Sequence, residues 1–456
     1  MPSLVLGFFH FYSSKECLMK SVSRAKRLFS TTLPMLFGVL SLMSFQLVDS
    51  AFIGQLGVLP LAAQGFTLPV QMIIIGLQVG LGIATTAVIS RALGADQCRY
   101  AKQLGGLILF IGTAGVALFA GLLYALRHPI LMLLDAPDNV FPVIDSYWPI
   151  WLVSAWTGAV LYFFYSLARA NGNTVLPGSM MVVTSLLNLV LDPVFIFWLD
   201  WGINGAAVAT LIAFGSGIAI VAPRVLGKGW VSFDWHDVNV KQSVGSIGHI
   251  MGPAMISQLL PPVSSMLATK LLASFGSAAV AAWALGSRFE FFSIVSVLAL
   301  TMSMPPMVGR LLGKGDLTEV KHLVKLACQF ILGFQLLIAV VTWLAAATLA
   351  NLMTSDQQVT DILHTHLTLV PFSLGALGVC MLMVSITNAL GRSYTALTIS
   401  ALRLFAFFLP CLWLGAQIAD LFGLFAGALI GNLLAGVVAY GMYRRTLAKL
   451  MANQLR

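Results

Sequence analysis

The sequence predicts an all-α integral membrane protein: twelve transmembrane helices in two parallel six-helix bundles related by pseudo-two-fold symmetry. Three observations predict it. The chain is too poor in charge to face water, span-length apolar segments follow one another along it, and its two halves repeat. Of 456 residues, 59% are apolar and 9% charged, where a soluble protein carries about 25% charged residues. That composition excludes a soluble enzyme, a nucleic-acid binder and a disordered chain.

A helix needs about 20 apolar residues to cross the hydrocarbon. With that ruler the spans fall at 28–53, 60–88, 104–126, 146–168, 175–198, 203–223, 246–272, 279–305, 325–349, 365–388, 394–417 and 421–443. Each is read as a helix, because an unpaired backbone cannot cross lipid.

The basic residues test this count. With residues 1–27 placed in the cytoplasm, alternate loops collect 21 of the 25 lysines and arginines. The positive-inside rule gives such a bias only when the spans alternate correctly. Both termini are therefore expected in the cytoplasm, with 444–456 as a tail. The net charge of +9 is accordingly a topological signal and implies no nucleic-acid partner. Met19 is a second candidate start, since the basic segment follows it. The first residues lack the basic start and small-residue cleavage site of a signal peptide.

Cysteine and histidine add little. Five cysteines (Cys17, Cys98, Cys328, Cys380, Cys411) contain no CxxC pair, so no disulfide framework or metal site is expected. His364 and His366 point in different directions on a helix and are read as solvated residues at a loop end.

The repeat emerges at an offset of 219 residues. Pro34 meets Pro253, Gly57 meets Gly276, and Arg91, Leu93 and Gly94 meet Arg310, Leu312 and Gly313. Lys102 meets Lys321, and Gly172 meets Gly391. An even number of spans per repeat preserves orientation, so the halves are parallel. The expected organisation is one bundle over 28–223, a linker over 224–245 and a second bundle over 246–443. Transporters built from such repeats hold substrate between the halves.

A carboxylate at bilayer depth costs about 2.5–3.5 kcal/mol on insertion scales. Asp49, Asp192 and Glu290 lie within spans. Asn188 precedes Asp192 by four residues, which puts both on one helix face and lets Asn188 donate to a charged Asp192. At the repeat offset Asp49 faces Ala268 and Asp192 faces Cys411, so the acidic site belongs to the first half alone. An acid in an apolar cavity resists ionisation, which suits a group that takes up and releases a proton. The same oxygens could instead coordinate Na⁺. The coupling-ion site is read as Asp49, Asn188 and Asp192, with Tyr147 and Thr210 as further polar candidates and no other cofactor. The plainer alternative is that Asp49 sits near the outer interface and Asp192 caps a break before Pro193. Pro34 removes a backbone hydrogen bond and is a candidate hinge. Glu290 is expected to pair with Arg403.

These residues resemble a known family. Pro34 and Asp49 in the first span, the NLVLDP run over 188–193 and the ALGADQCRYAKQL segment are similar to multidrug and toxic compound extrusion (MATE) transporters. The resemblance runs from about residue 28 to 443 and is greatest to the DinF-like branch, whose acidic site lies in the first half. The seventh span has no acid at all, unlike the other branch. The resemblance implies export of apolar cationic drugs from a bacterial inner membrane against an H⁺ or Na⁺ gradient, by a protein expected to be a monomer. It also implies Asp49 as the proton-responsive acid and two bundles in a V. The competing reading is a lipid or lipid-linked glycan flippase of the same superfamily, which tends to carry a basic cavity. An intramembrane protease would need glycine-aspartate contexts that are absent.

Overall fold

The structure is a computed structural model that describes residues 3–236 and 238–454, with side chains described from residue 23 onward. Cys17, Met19 and three of the basic residues counted toward the cytoplasmic bias, Lys15, Lys20 and Arg456, lie outside the described side chains. Among the described residues there are helices and short connections and no strand.

The first half comprises α1 (Ser3–Gln55), α2 (Val58–Gly94), α3 (Cys98–Ala125), the short α4 (Arg127–Leu133), α5 (Phe141–Ala170), α6 (Val175–Pro193) and α7 (Gly202–Gly227). The second comprises α8 (Val240–Ala273), α9 (Ser277–Ser293), α10 (Val295–Gly313), α11 (Leu317–Met353), α12 (Gln357–Leu369), α13 (Leu374–Ala389), α14 (Ser393–Ala401) and α15 (Leu409–Gln454). Helices α9 and α10 together make one span, as do α12 and α13. Helix α14 continues through a π-helical segment, Leu402–Phe408, into α15. That last helix breaks at Ala419 and Asp420, whose backbone angles are not helical, and so contributes to two spans.

Twelve spans in two six-helix bundles result. Ten helices pass on length and apolarity alone. The break in α15 divides one of these into two. The seventh span, α8, brings the total to twelve and owes its lower apolarity to serines, two lysines and three interior prolines.

Polar caps set several helix starts at the end rich in basic residues. Asn239 accepts from the Gln242 amide at 3.1 Å and Asp316 from the Glu319 amide at 2.9 Å, satisfying donors that the first helical turn leaves unpaired. The repeat is visible in the backbone. Gly57 and Gly276 hold φ of 104° and 101° before α2 and α9, and Gly172 and Gly391 hold 82° and 72°. Side chains rarely adopt such angles, which explains glycine at both copies.

Symmetry also governs how the halves meet. Helix α1 packs on α10, α8 packs on α2, and α2 meets α10 across the axis. At the basic end Gly94 lies against the Arg310 backbone and Gly313 against the Arg91 backbone, one contact made twice. Thr32 and Ser303 hydroxyls lie 2.9 Å apart beside this seam, and Arg24 clasps Glu319 with two hydrogen bonds of 2.6 and 2.7 Å. Leu28 of α1 is buried in the core of the second bundle. The two bundles are thus joined at the basic end.

Helix α1 runs through Pro34 without interruption. The Pro34 carbonyl packs on Gly178 of α6, and Gly38 packs on the Gly178 carbonyl. Only the absence of side chains at both glycines lets α1 and α6 cross so closely.

Candidate functional site

Between the bundles lies a cavity of about 680 Å³, within the range of small-molecule sites. It reaches from Ile53 and Gln64 near one end to Arg169 and Asn388 near the basic end. Its walls come from both halves and include Phe45, Tyr162, Phe214, Phe291 and Met302.

The first bundle places Asp49, Tyr147 and Thr210 on this wall. Trp148 Nε1 donates to Thr67 Oγ1 at 3.0 Å, which fixes α5 against α2 and sets the position of the neighbouring Tyr147. Asn188 Nδ2 donates to Thr210 Oγ1 at 3.1 Å, and Thr210 in turn donates to the Ala206 carbonyl at 3.0 Å. The expected bond from Asn188 to Asp192 is therefore replaced. A hydroxyl on the facing helix α7 takes the amide, and both Asp192 oxygens stay buried with no hydrogen-bond partner.

Asp192 sits one residue before Pro193 and a π-helical turn, Val194–Trp198. It is fully buried behind the cavity wall and does not itself line the cavity. Asp49 does line it, with its Oδ1 buried and partnerless. Tyr147 and Thr210 line the same chamber as Asp49. The structure thus gathers Asp49, Asp192, Asn188, Tyr147 and Thr210 into one region of the first bundle. Pro34 stands apart from them, at the α1–α6 crossing.

In the second bundle two expectations are corrected. Glu290 does not pair with Arg403: its Oε1 lies 2.8 Å from His366 Nε2. His366 is not solvated either. It is completely buried over Gly286, in T-shaped contact with both of the stacked rings of Trp283 and Phe425. A histidine 76 residues away was the nearer partner, and Arg403 faces the cavity instead.

Gln64, Gln71 and Gln78 were also overlooked, although all three line the cavity. Their spacing of seven puts them on one face of α2, and that polar stripe in an apolar helix was the available signal.

A two-bundle helical fold with a partnerless buried acid beside a central cavity defines a membrane transporter. The MatE family model matches residues 34–194 and again 253–414, two copies whose starts differ by the same 219 residues. The chain belongs to this family of MATE transporters. It is 68% identical to the Vibrio cholerae MATE transporter VcmN in its bent form, with a TM-score of 0.93 over 95% of this chain and 99% of that one. A FAD transporter of Shewanella oneidensis is 30% identical over 92% of this chain and 94% of its own length. The multidrug export protein MepA of Staphylococcus aureus is 24% identical over 91% and 92%.

Proposed function

We propose that this chain exports small organic compounds, apolar cationic drugs among them, across a bacterial inner membrane in exchange for H⁺ or Na⁺. The observation that carries this reading is Asp192. A buried carboxylate with no donor on either oxygen is costly, so the site needs a proton or a cation to offset its charge. Asp49, an acid of the same bundle, lines the cavity itself, so a proton or cation taken up by these acids changes the charge of the wall that substrate touches. Asn188, Thr210 and Tyr147 complete the polar surroundings. Placement of the acids in the first half agrees with the DinF-like branch.

The positive-inside rule puts the basic end in the cytoplasm, and with it both termini. The bundles then meet at the cytoplasmic side, and transport requires that seam to open. MepA supports drug export as the activity, and the FAD transporter supports larger aromatic substrates.

The test is ethidium movement in proteoliposomes under an imposed pH gradient or sodium gradient. Gradient-driven movement by the wild type, reduced at least about tenfold in Asp49→Asn and in Asp192→Asn, is expected. Unchanged movement in both variants would sink the coupling assignment. Movement that needs sodium selects Na⁺ as the ion.

A further inference from the structure

Arg403 lies in the π-helical segment of the eleventh span, ten residues from the start of α14 and so about 15 Å into the membrane from the basic end. Its side chain lines the central cavity, and among the described residues it has no hydrogen-bond or ion-pair partner. The acid that charge alone would assign to it is held by His366. A guanidinium does not lose its proton in a protein, and an unpaired charge at this depth is expensive. Its presence is explained if a partner arrives with the substrate.

The surroundings agree. The charged residues lining the cavity are Asp49, Arg169 and Arg403, so cationic groups outnumber acids in a chamber where cationic cargo alone would call for the reverse. Arg169 Nη2 donates to Ser166 at 2.8 Å, while its Nη1 is buried without a partner. Asn388, also of the second bundle, lines the cavity nearer the basic end, and its Oδ1 is likewise buried and partnerless. The repeat supplies a control. At the 219 offset Arg403 corresponds to Thr184, which lines the same cavity from the first bundle. The fold therefore accepts a small neutral residue at this position, and the guanidinium serves something other than architecture.

We propose that Arg403 binds an anionic substituent, a phosphate or carboxylate, on a soluble aromatic substrate whose ring system packs in the apolar part of the cavity. The planar fork of a guanidinium suits bidentate binding of such groups. This rests on the reading of the cavity as the substrate chamber, and it widens the substrate class beyond cationic drugs.

The experiment measures binding of flavin mononucleotide and of riboflavin, which differ by one phosphate, to the full chain in phosphatidylcholine nanodiscs. Fluorescence quenching gives both affinities. The wild type is expected to bind the phosphorylated probe about tenfold more tightly, as one charge-assisted hydrogen bond provides. Arg403→Gln is expected to bind both equally, and Arg403→Lys to keep most of the preference. Equal binding by the wild type, or a preference surviving in Arg403→Gln, overturns the proposal whether or not any variant folds poorly. Displacement of the probe by added phosphatidylglycerol also overturns it, by assigning the anion to a lipid head group. Ethidium movement by the wild type is read separately, so failure of the export reading is distinguishable from failure of this one.

Discussion

Replacing Gly94 by alanine offers a direct test of how the bundles close. A Cβ at Gly94 would stand 2.8 Å from the carbonyl carbon and 2.9 Å from the Cα of Arg310, where ordinary contact begins at 3.4 Å. The obstacle is backbone, with the Arg310 carbonyl oxygen nearer still, and it cannot rotate aside, so α2 and α10 must separate by more than about 0.6 Å. Overpacking of this kind costs about 1–3 kcal/mol. The cost falls only on the arrangement in which the two helices touch. The population closed at the basic end should therefore drop by about five- to 150-fold relative to the open one. Cysteines replacing Thr32 and Ser303, whose hydroxyls lie 2.9 Å apart, report closure by disulfide formation in a background without the native cysteines. Slower cross-linking in Gly94→Ala, with greater access of the Thr32→Cys thiol to an impermeant maleimide, is expected. Cross-linking at the wild-type rate would refute the claim that glycine is needed at this seam. Gly313→Ala must give the same result, because its Cβ would lie 2.8 Å from the Gly94 Cα.

Two further outcomes follow from packing. Gly178→Ala sets a methyl 2.5 Å from the Pro34 carbonyl carbon, so thermal unfolding should occur earlier by an amount equivalent to about 1–3 kcal/mol; an unchanged melting temperature would mean that α1 and α6 do not cross at these residues. His366→Ala removes the partner of Glu290 and leaves a void beside the stacked rings of Trp283 and Phe425. A loss of about 1–3 kcal/mol is expected, measured by thermal unfolding, and Glu290→Gln, which can still bond the imidazole, should lose less.

The spans were legible because the bilayer imposes one length and one composition on every crossing, and the basic clusters then fixed their alternation. Asp49 and Asp192 were legible for the same reason, since an acid inside an apolar run needs an explanation. What escaped was the choice of partners. Spacing along one helix shows that Asn188 and Asp192 share a face, but not that Thr210 on the next helix lies nearer to the amide. Charge complementarity favoured Glu290 with Arg403, whereas His366 was brought to Glu290 by helix packing that no local pattern encodes. Charge pairing along the sequence makes Arg403 one half of an ion pair, and only the structure shows that it lines a chamber wall.

The glutamine stripe on α2 has a consequence for what the chamber tolerates. Gln64, Gln71 and Gln78 stand about 10 Å apart along the helix axis, and each amide offers both donors and an acceptor. A compound shifted along the wall by one such step meets the same polar chemistry again, against a background of unspecific grease. Along this wall, fit then depends on shape and on the spacing of a few polar atoms, so one compound can sit against it at more than one height.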